Sequence, residues 1–314
     1  MNSHPYSRDS HLTGSIVAIV TPMLASELFV QGDMGAATDV AVDWSALKAL
    51  IEWHIAQGTS GIVPVGTTGE SATLTVEEHL EVIRFTVEQV KQRVPVIAGT
   101  GGNATQEAVH LSRQAVLAGA DACLVVTPYY NRPTQEGMYR HFAFIAEQIP
   151  VPIVLYNVPP RTASDLLPET VARLSEIKSI VGIKEASGDP TRVSQILELS
   201  NSNFFVLSGE DAQTLDMMDR GACGTISVSA NVAPRLVAEM CQAHLAGNRE
   251  RAGELDNLLQ PLHKVLFIDP NPSPAKWALF EMGKIQSGIR LPMLPMDADK
   301  RVELVACLKS LGLI

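Results

Sequence analysis

A lysine closes the β-branched run Ser179-Ile180-Val181-Gly182-Ile183-Lys184. If the run is a strand, alternation puts Ile180, Gly182 and Lys184 on one face and Val181 and Ile183 on the other. Val181 and Ile183 suit a layer of helices, so Lys184 points the opposite way, beside a glycine that gives it room. A lysine in such a place sheds part of its hydration, which favours the free amine needed for imine formation with a carbonyl compound. The same pattern also fits a lysine that snorkels to a rim or pairs with a carboxylate.

Other strand ends carry groups of matching use. Gly66-Thr67-Thr68-Gly69-Glu70-Ser71 offers two hydroxyls and glycine-flanked backbone N–H groups that can surround a small carboxylate, or it is ordinary loop chemistry. It is not a phosphate loop, because GxxxxGK[ST] is absent. Tyr156-Asn157 leads into Val158-Pro159-Pro160-Arg161-Thr162. There the tyrosine can shuttle a proton and the arginine can clamp a carboxylate bidentately, unless they are a core aromatic and a solvated loop residue. Thr127-Pro128-Tyr129-Tyr130-Asn131-Arg132-Pro133 places two adjacent tyrosines that must point to different sides, one toward a site and one toward an interface. Ser208-Gly209-Glu210-Asp211 reads as a glycine turn followed by a helix cap. His4 and His11 lie in the N-terminal tail, and His79, His110 and His141 fall within helical patterns, so none suggests a catalytic pair or a metal ligand.

The elements that must hold these groups alternate in period. Short apolar runs at Ile16 to Val20, Gly61 to Val65, Val94 to Ala98, Ala122 to Thr127, Pro152 to Tyr156, Ile180 to Lys184, Phe204 to Leu207 and Gly224 to Val228 read as eight strands. Between them lie helical patterns. Thr75 with Glu78, and Asn103 with Gln106, have capping-box spacing, and Asp189-Pro190 reads as a helix start. Eight βα units admit a closed (β/α)8 TIM barrel or an open doubly wound sheet; the first strand runs into Thr21-Pro22-Met23 with no GxGxxG, which favours the barrel. Residues 1–248 then form the barrel, with a short N-terminal tail and an enlarged loop at about 24–42 (Leu24 to Val42), and residues 249–314 form a C-terminal helical subdomain.

Composition limits the partners. With 24 Lys+Arg against 34 Asp+Glu, the net charge is −10, which argues against nucleic acid or an anionic membrane while leaving a small anionic substrate open. Hydrophobic residues make up 46% of the 314, enough for a large core. No run approaches the ~18 apolar residues of a membrane span, and the run Ile16 to Val20 is too short for a signal-peptide core. Cys123, Cys223, Cys241 and Cys307 show no CxxC spacing. These features predict a soluble, cytoplasmic protein without disulfides or zinc.

Taken in order, GTTGES, TPYYNRPTQEG, YNVPPRT, GIKEASGDP and NPSPAKWA resemble the dihydrodipicolinate synthase family of class I, pyruvate-dependent lyases, over nearly the whole chain. The resemblance implies a (β/α)8 barrel with C-terminal helices. It also implies condensation of pyruvate with L-aspartate 4-semialdehyde through a lysine Schiff base, giving 4-hydroxy-tetrahydrodipicolinate in the diaminopimelate route of lysine biosynthesis, with no cofactor and no metal. By resemblance Lys184 forms the imine, Tyr156 is the general acid/base, and Thr68 and Tyr130 complete a proton relay, Tyr130 reaching in from a neighbouring subunit. Thr67 and Thr68 would hold the pyruvate carboxylate, Arg161 the semialdehyde carboxylate, and Gly209 and Ile226 would line the pocket. The family is usually a homotetramer, a dimer of dimers.

Many members respond to L-lysine at an interface site whose matching positions here are Ser71, Ala72, His79, Asn103, Glu107 and Tyr129. Val76 stands where sensitive members often carry histidine. Pro160-Arg161-Thr162-Ala163 departs from the usual SRTG, and the loop at 24–42 is longer than usual. Two competing readings are another pyruvate-dependent aldolase, such as N-acetylneuraminate lyase or a keto-deoxy-sugar aldolase, and a catalytically silent small-acid sensor. An arginine at 161 favours the semialdehyde over a sugar.

Overall fold

The structure is a computed structural model that describes residues 12–25 and 40–314. Most of the enlarged loop (26–39), together with His4 and His11 of the tail, lies outside the described residues.

The eight strands form as the alternation predicts: β1 Gly14–Ala18, β2 Gly61–Val63, β3 Ile97–Gly99, β4 Ala122–Val126, β5 Ile153–Asn157, β6 Ile180–Glu185, β7 Phe205–Ser208 and β8 Gly224–Ser227. They pair in parallel in the order β2-β1-β8-β7-β6-β5-β4-β3. The ring closes where Ile62 bridges Val96, with Ile62 N–H donating to Pro95 O at 3.0 Å and Gly99 N–H to Pro64 O at 3.1 Å. The closed barrel therefore stands, and the open sheet does not.

Around it run α1 Trp44–Ala56, α2 Val76–Val90, α3 Thr105–Ala118, α4 Gln135–Gln148, α5 Pro168–Ser175, α6 Thr191–Leu199, α7 Thr214–Asp219 and α8 Pro234–Leu245. The C-terminal segment adds α9 Arg249–Val265, α10 Ser273–Glu281 and α11 Ala298–Ser310. The Thr75–Glu78 capping box is present at the start of α2: Thr75 Oγ1 accepts from Glu78 N–H at 3.2 Å, and Glu78 Oε2 accepts from Thr75 N–H at 3.0 Å. The box expected at Asn103–Gln106 is not formed. Helix α3 starts one turn-position later, with Ala104 at its N-cap and no side-chain bond, because the Asn103 region is held by Asn131, whose Nδ2 donates to Asn103 O at 2.8 Å. Asp189 does cap: its Oδ1 accepts from Thr191 N–H at 2.9 Å, with Pro190 at the N-cap position itself.

Side chains sort into two layers. Ile16, Ala18, Val63, Ile97, Leu124, Val154, Phe205, Leu207 and Ile226 fill the barrel interior, while Val17, Ile62, Cys123, Val125, Leu155, Ile183 and Val206 meet the helices. Strand β6 departs from simple alternation. Ile180 lies with the outer layer and Val181 with the inner, the reverse of the sequence expectation. The cause is a register shift: Ile153 pairs with Ile180 but Val154 pairs with Gly182, so one residue slips before the phase recovers at Ile183 and Lys184. The base of the 24–42 loop is tied by an antiparallel bridge between Met23 and Val42 and by Leu24 N–H donating to Ala41 O at 2.9 Å.

Candidate active site

Lys184 occupies the C-terminal end of β6, directly across from Tyr156 on β5, and is 5% exposed. Its Nζ stands 4.3 Å from the centre of the Tyr156 ring. The room around it comes from a different glycine than the sequence suggested. A Cβ on Gly182 would strike the Phe205 ring at 2.4 Å, whereas a Cβ on Gly209 would come within 3.0 Å of Lys184 Cε and 2.7 Å of Ala186 Cβ. Gly209 is thus required by the lysine, and Gly182 by the packing beneath it.

The cavity over Lys184 is lined by Tyr156, Thr67, Thr68, Arg161, Gly209 and Glu210, with Asn271, Val228 and Phe267 among the remaining walls. Thr67 and Thr68 reach it through a constrained turn. Gly69 N–H donates to Gly66 O at 3.0 Å and Glu70 N–H to Thr67 O at 3.1 Å, so those donors are used inside the loop. Among the described residues nothing engages the N–H groups of Thr67 and Thr68, which leaves two backbone donors and two hydroxyls for an anion. Val65 and Glu70, on either side of this turn, have φ of 47° and 56°, a left-handed conformation that a β-branched valine rarely adopts. Thr68 Oγ1 accepts from Asn271 Nδ2 at 3.0 Å, so the Thr68 proton remains free to donate. Asn271 Oδ1 has no hydrogen-bond partner among the described residues.

What holds the strained loop is a buried charge cluster contributed by the C-terminal segment. Glu70 and Lys276 form an ion pair with both side chains almost fully buried, and Lys276 Nζ also donates to Thr21 O at 3.1 Å. Arg290 N–H donates to the other Glu70 oxygen at 3.2 Å, while its guanidinium clamps Glu78 at 2.6 Å and Val40 O at 2.7 Å. Burial pushes the Lys276 ammonium down, and the Glu70 charge opposes that.

Arg161 sits at the mouth in a one-turn helix, Pro159–Thr162, whose two prolines stiffen its start. Thr162 anchors that turn by donating to Ser164 O at 2.8 Å and accepting from Thr127 Oγ1 at 3.3 Å. Behind it, Asn157 Nδ2 donates to Asp165 Oδ1 at 3.0 Å and Glu185 Oε2 at 3.2 Å, and Arg192 pairs with Asp165 at 2.5 Å. Burial raises the Glu185 carboxyl, which the Ser187 and Asn157 donors counter.

The cavity therefore unites Lys184, Tyr156, Thr67, Thr68, Arg161 and Gly209. Ile226 is fully buried in the barrel interior instead, and Val228 takes its place on the wall. Tyr130 is not among the residues lining the cavity over Lys184; it is 89% exposed at φ 73°. A second cleft adjoins the first and shares Thr67, Val158, Arg161 and Asn271 with it. It brings together Ser71, Ala72, His79, Glu107 and Tyr129, along with Val76; Asn103 stands at its edge, its backbone in hydrogen-bond contact with Tyr129. His79 Nε2 is committed to Gly99 O at 2.8 Å, and burial lowers its basicity, so in this cleft it is a neutral packing group. Burial and the nearby Glu107 charge raise the Tyr129 phenol.

Glu210, Asn271 and Lys276 were not singled out by residue type or spacing. A signal existed for Lys276: it interrupts the apolar pattern Ser273-Pro274-Ala275-Lys276-Trp277-Ala278, and a charge on a buried helix face requires a partner. Chemically, the arrangement offers a shielded amine beside a phenol, an anion cradle and a cation at the mouth, the parts that imine chemistry on a small keto acid uses.

The model of the dihydrodipicolinate synthetase family matches residues 11–311. The 4-hydroxy-tetrahydrodipicolinate synthase of Alcanivorax borkumensis is 53% identical over 303 residues, covering 96% of this chain and 99% of that protein. Among solved structures, the chloride-inhibited dihydrodipicolinate synthase of Acinetobacter baumannii, complexed with pyruvate, superposes with a TM-score of 0.90 at 48% identity, covering 96% of this chain and all (100%) of that one. The enzyme of Cyanidioschyzon merolae, with lysine bound, has a TM-score of 0.89 at 34% identity, covering 97% of this chain and 100% of the other.

Proposed function

The chain belongs to the dihydrodipicolinate synthetase family, and from that premise we infer that it is a lyase-type synthase that condenses pyruvate with L-aspartate 4-semialdehyde to 4-hydroxy-tetrahydrodipicolinate. One observation carries the reading: Lys184 is enclosed at a barrel strand end, against the Tyr156 ring, in a cavity that also presents Thr67, Thr68 and Arg161.

The Lys184 amine adds to the pyruvate keto carbon and water leaves, giving an imine. The imine accepts the electron pair when a methyl proton is lost, so the enamine forms without a metal or organic cofactor. The enamine carbon attacks the semialdehyde carbonyl. The semialdehyde nitrogen then attacks the imine carbon, closing the ring and releasing Lys184. Tyr156 moves protons at the lysine nitrogen and the new hydroxyl. Thr68 relays them, with Tyr130 of a neighbouring chain as the third member. Thr67 and Thr68 hold the pyruvate carboxylate, Arg161 that of the semialdehyde, and Gly209 and Val228 shape the pocket, with Ile226 packed in the barrel interior beneath it.

The exposure of Tyr130 supports a shared site, and hence a dimer within a dimer-of-dimers tetramer, which sedimentation measures. The second cleft supports an L-lysine effector site at Ser71, Ala72, His79, Asn103, Glu107 and Tyr129. There Glu107 meets the ammonium and Val76 contributes no hydrogen bond. Titrating L-lysine into the assay should lower the rate, and a flat response would refute the site. As a biosynthetic enzyme it acts in the cytoplasm. Residues 249–314 serve as a helical subdomain that holds the β2–α2 loop against the 1–248 barrel, a role supported by the contacts of Asn271 with Thr68 and of Lys276 and Arg290 with Glu70.

Incubation with pyruvate and borohydride should leave a reduced adduct that peptide mapping locates on Lys184. Turnover with a sugar aldehyde but not with the semialdehyde would reject the substrate assignment.

A further inference from the structure

We propose that Glu210 binds the α-ammonium group of the semialdehyde opposite Arg161, and so selects an amino-acid aldehyde over one lacking the amine. The proposal rests on the function inferred above and adds a residue that determines its specificity.

The acidic groups near the cavity are otherwise engaged. Glu70 is held by Lys276 and Arg290 N–H. Glu185 accepts from Ser187 N–H at 2.7 Å and from Asn157. Asp211 Oδ2 accepts from Val228 N–H at 2.9 Å and Ser229 N–H at 2.8 Å. Glu210 alone of these four lines the cavity, and among the described residues no hydrogen bond or ion pair reaches its carboxylate. Its backbone is nevertheless fixed: Glu210 N–H donates to Ser208 Oγ at 3.2 Å, and its carbonyl accepts from Ser208 Oγ at 3.0 Å and Thr214 Oγ1 at 3.1 Å. It follows Gly209, the residue whose missing side chain makes room for Lys184.

A carboxylate carried on a fixed backbone, partly withdrawn from water and without a hydrogen-bond or ion-pair partner among the described residues is costly unless a cation arrives. Burial and Asp211 raise the Glu210 carboxyl, while Lys184 and Arg161 oppose them. The reaction itself removes one of those cations, because the lysine nitrogen is uncharged once the enamine has formed. Arg161 is then claimed by the incoming carboxylate. The second substrate brings the compensating charge, since it carries an ammonium beside that carboxylate. Arg161 and Glu210, which both line the cavity, thus match the two charges of an amino acid.

The test is Glu210→Gln in the full-length protein, which keeps size and shape but removes the charge. The KM for L-aspartate 4-semialdehyde should rise tenfold or more, with pyruvate KM and the borohydride-trapped Lys184 adduct unchanged. Inhibition by succinic semialdehyde, which lacks the amine, should be equal in parent and variant, and Glu210→Asp should recover part of the loss. A semialdehyde KM within twofold of the parent overturns the proposal. So does an equal weakening of succinic semialdehyde, or loss of the Lys184 adduct in the glutamine variant. Absence of the adduct in the parent protein would instead defeat the inferred function.

Discussion

Lys184, at the end of β6, and Lys276, in α10, are withdrawn from solvent to the same degree, 5% and 4% exposed, yet their surroundings differ. Lys276 has the Glu70 carboxylate and the Thr21 carbonyl, and no route to a ligand through the main cavity. Lys184 has an aromatic face and, among the described residues, no ion pair. A buried ammonium with a matched partner is an anchor, and removing its partner leaves an uncompensated charge. A buried ammonium facing open space and a phenol is available for chemistry. Under the proposed function the anchor serves the imine-forming group: it holds Glu70, at the end of the loop that carries Thr67 and Thr68 to the cavity over Lys184.

The sharpest break of this comparison is Lys184→Ala, which should abolish the pyruvate adduct and lower turnover at least ~10³-fold while leaving urea unfolding nearly unchanged. Tyr156→Phe should keep the adduct but lower kcat by ~10²–10⁴-fold, because the proton donor is lost and the packing is retained. Lys276→Met should act on stability instead, costing ~3–5 kcal/mol in urea unfolding. The double change Glu70→Gln with Lys276→Met should recover most of that; no recovery would mean that the pair is not the anchor.

Buried histidines supply a third kind of withdrawn base, one that is kept neutral. Burial pushes His54 down to about 3 and His141 to about 4. Because these folded values lie below the unfolded ~6.5, the stability they confer is complete above pH ~6.5 and is lost as pH falls toward 4 and then 3. Unfolding free energy should therefore decline with acid below pH ~6.5, and His54→Gln should flatten that slope. The smallest effect belongs to the Arg161 turn. Ala163 sits at φ 55°, a left-handed conformation that favours glycine, so Ala163→Gly should stabilise by ~0.5–1 kcal/mol with activity unchanged.

Much of this architecture was legible in the residues. The change between period two and period 3.6 marked every strand of the barrel, since those periods reflect how one face of each element is buried. The strand-end positions of Lys184 and Tyr156, and the place of Arg161 just beyond one, were legible from the alternation, whereas their chemical roles came from the family resemblance. The Asn103 cap misled because Asn131 competes for that segment; the facing of Ile180 and Val181 failed because a register shift in β6 cannot be seen from alternation, and the Gly182 assignment because Phe205 fills the space beside it.

The sequence by itself determined the eight βα units, the strand-end placement of the lysine, the phenol and the arginine, and the acidic balance that leaves polyanions aside. Those follow from local forces: steric preference, capping and the side to which each residue points. Only the tertiary structure decided that Glu70 meets Lys276 across 206 positions, that Asn271 reaches Thr68, and that the Glu210 carboxylate lines the cavity with no hydrogen-bond or ion-pair partner among the described residues. Those outcomes depend on which charges are desolvated together. Desolvation is a property of the assembled neighbourhood, which no stretch of chain encodes on its own.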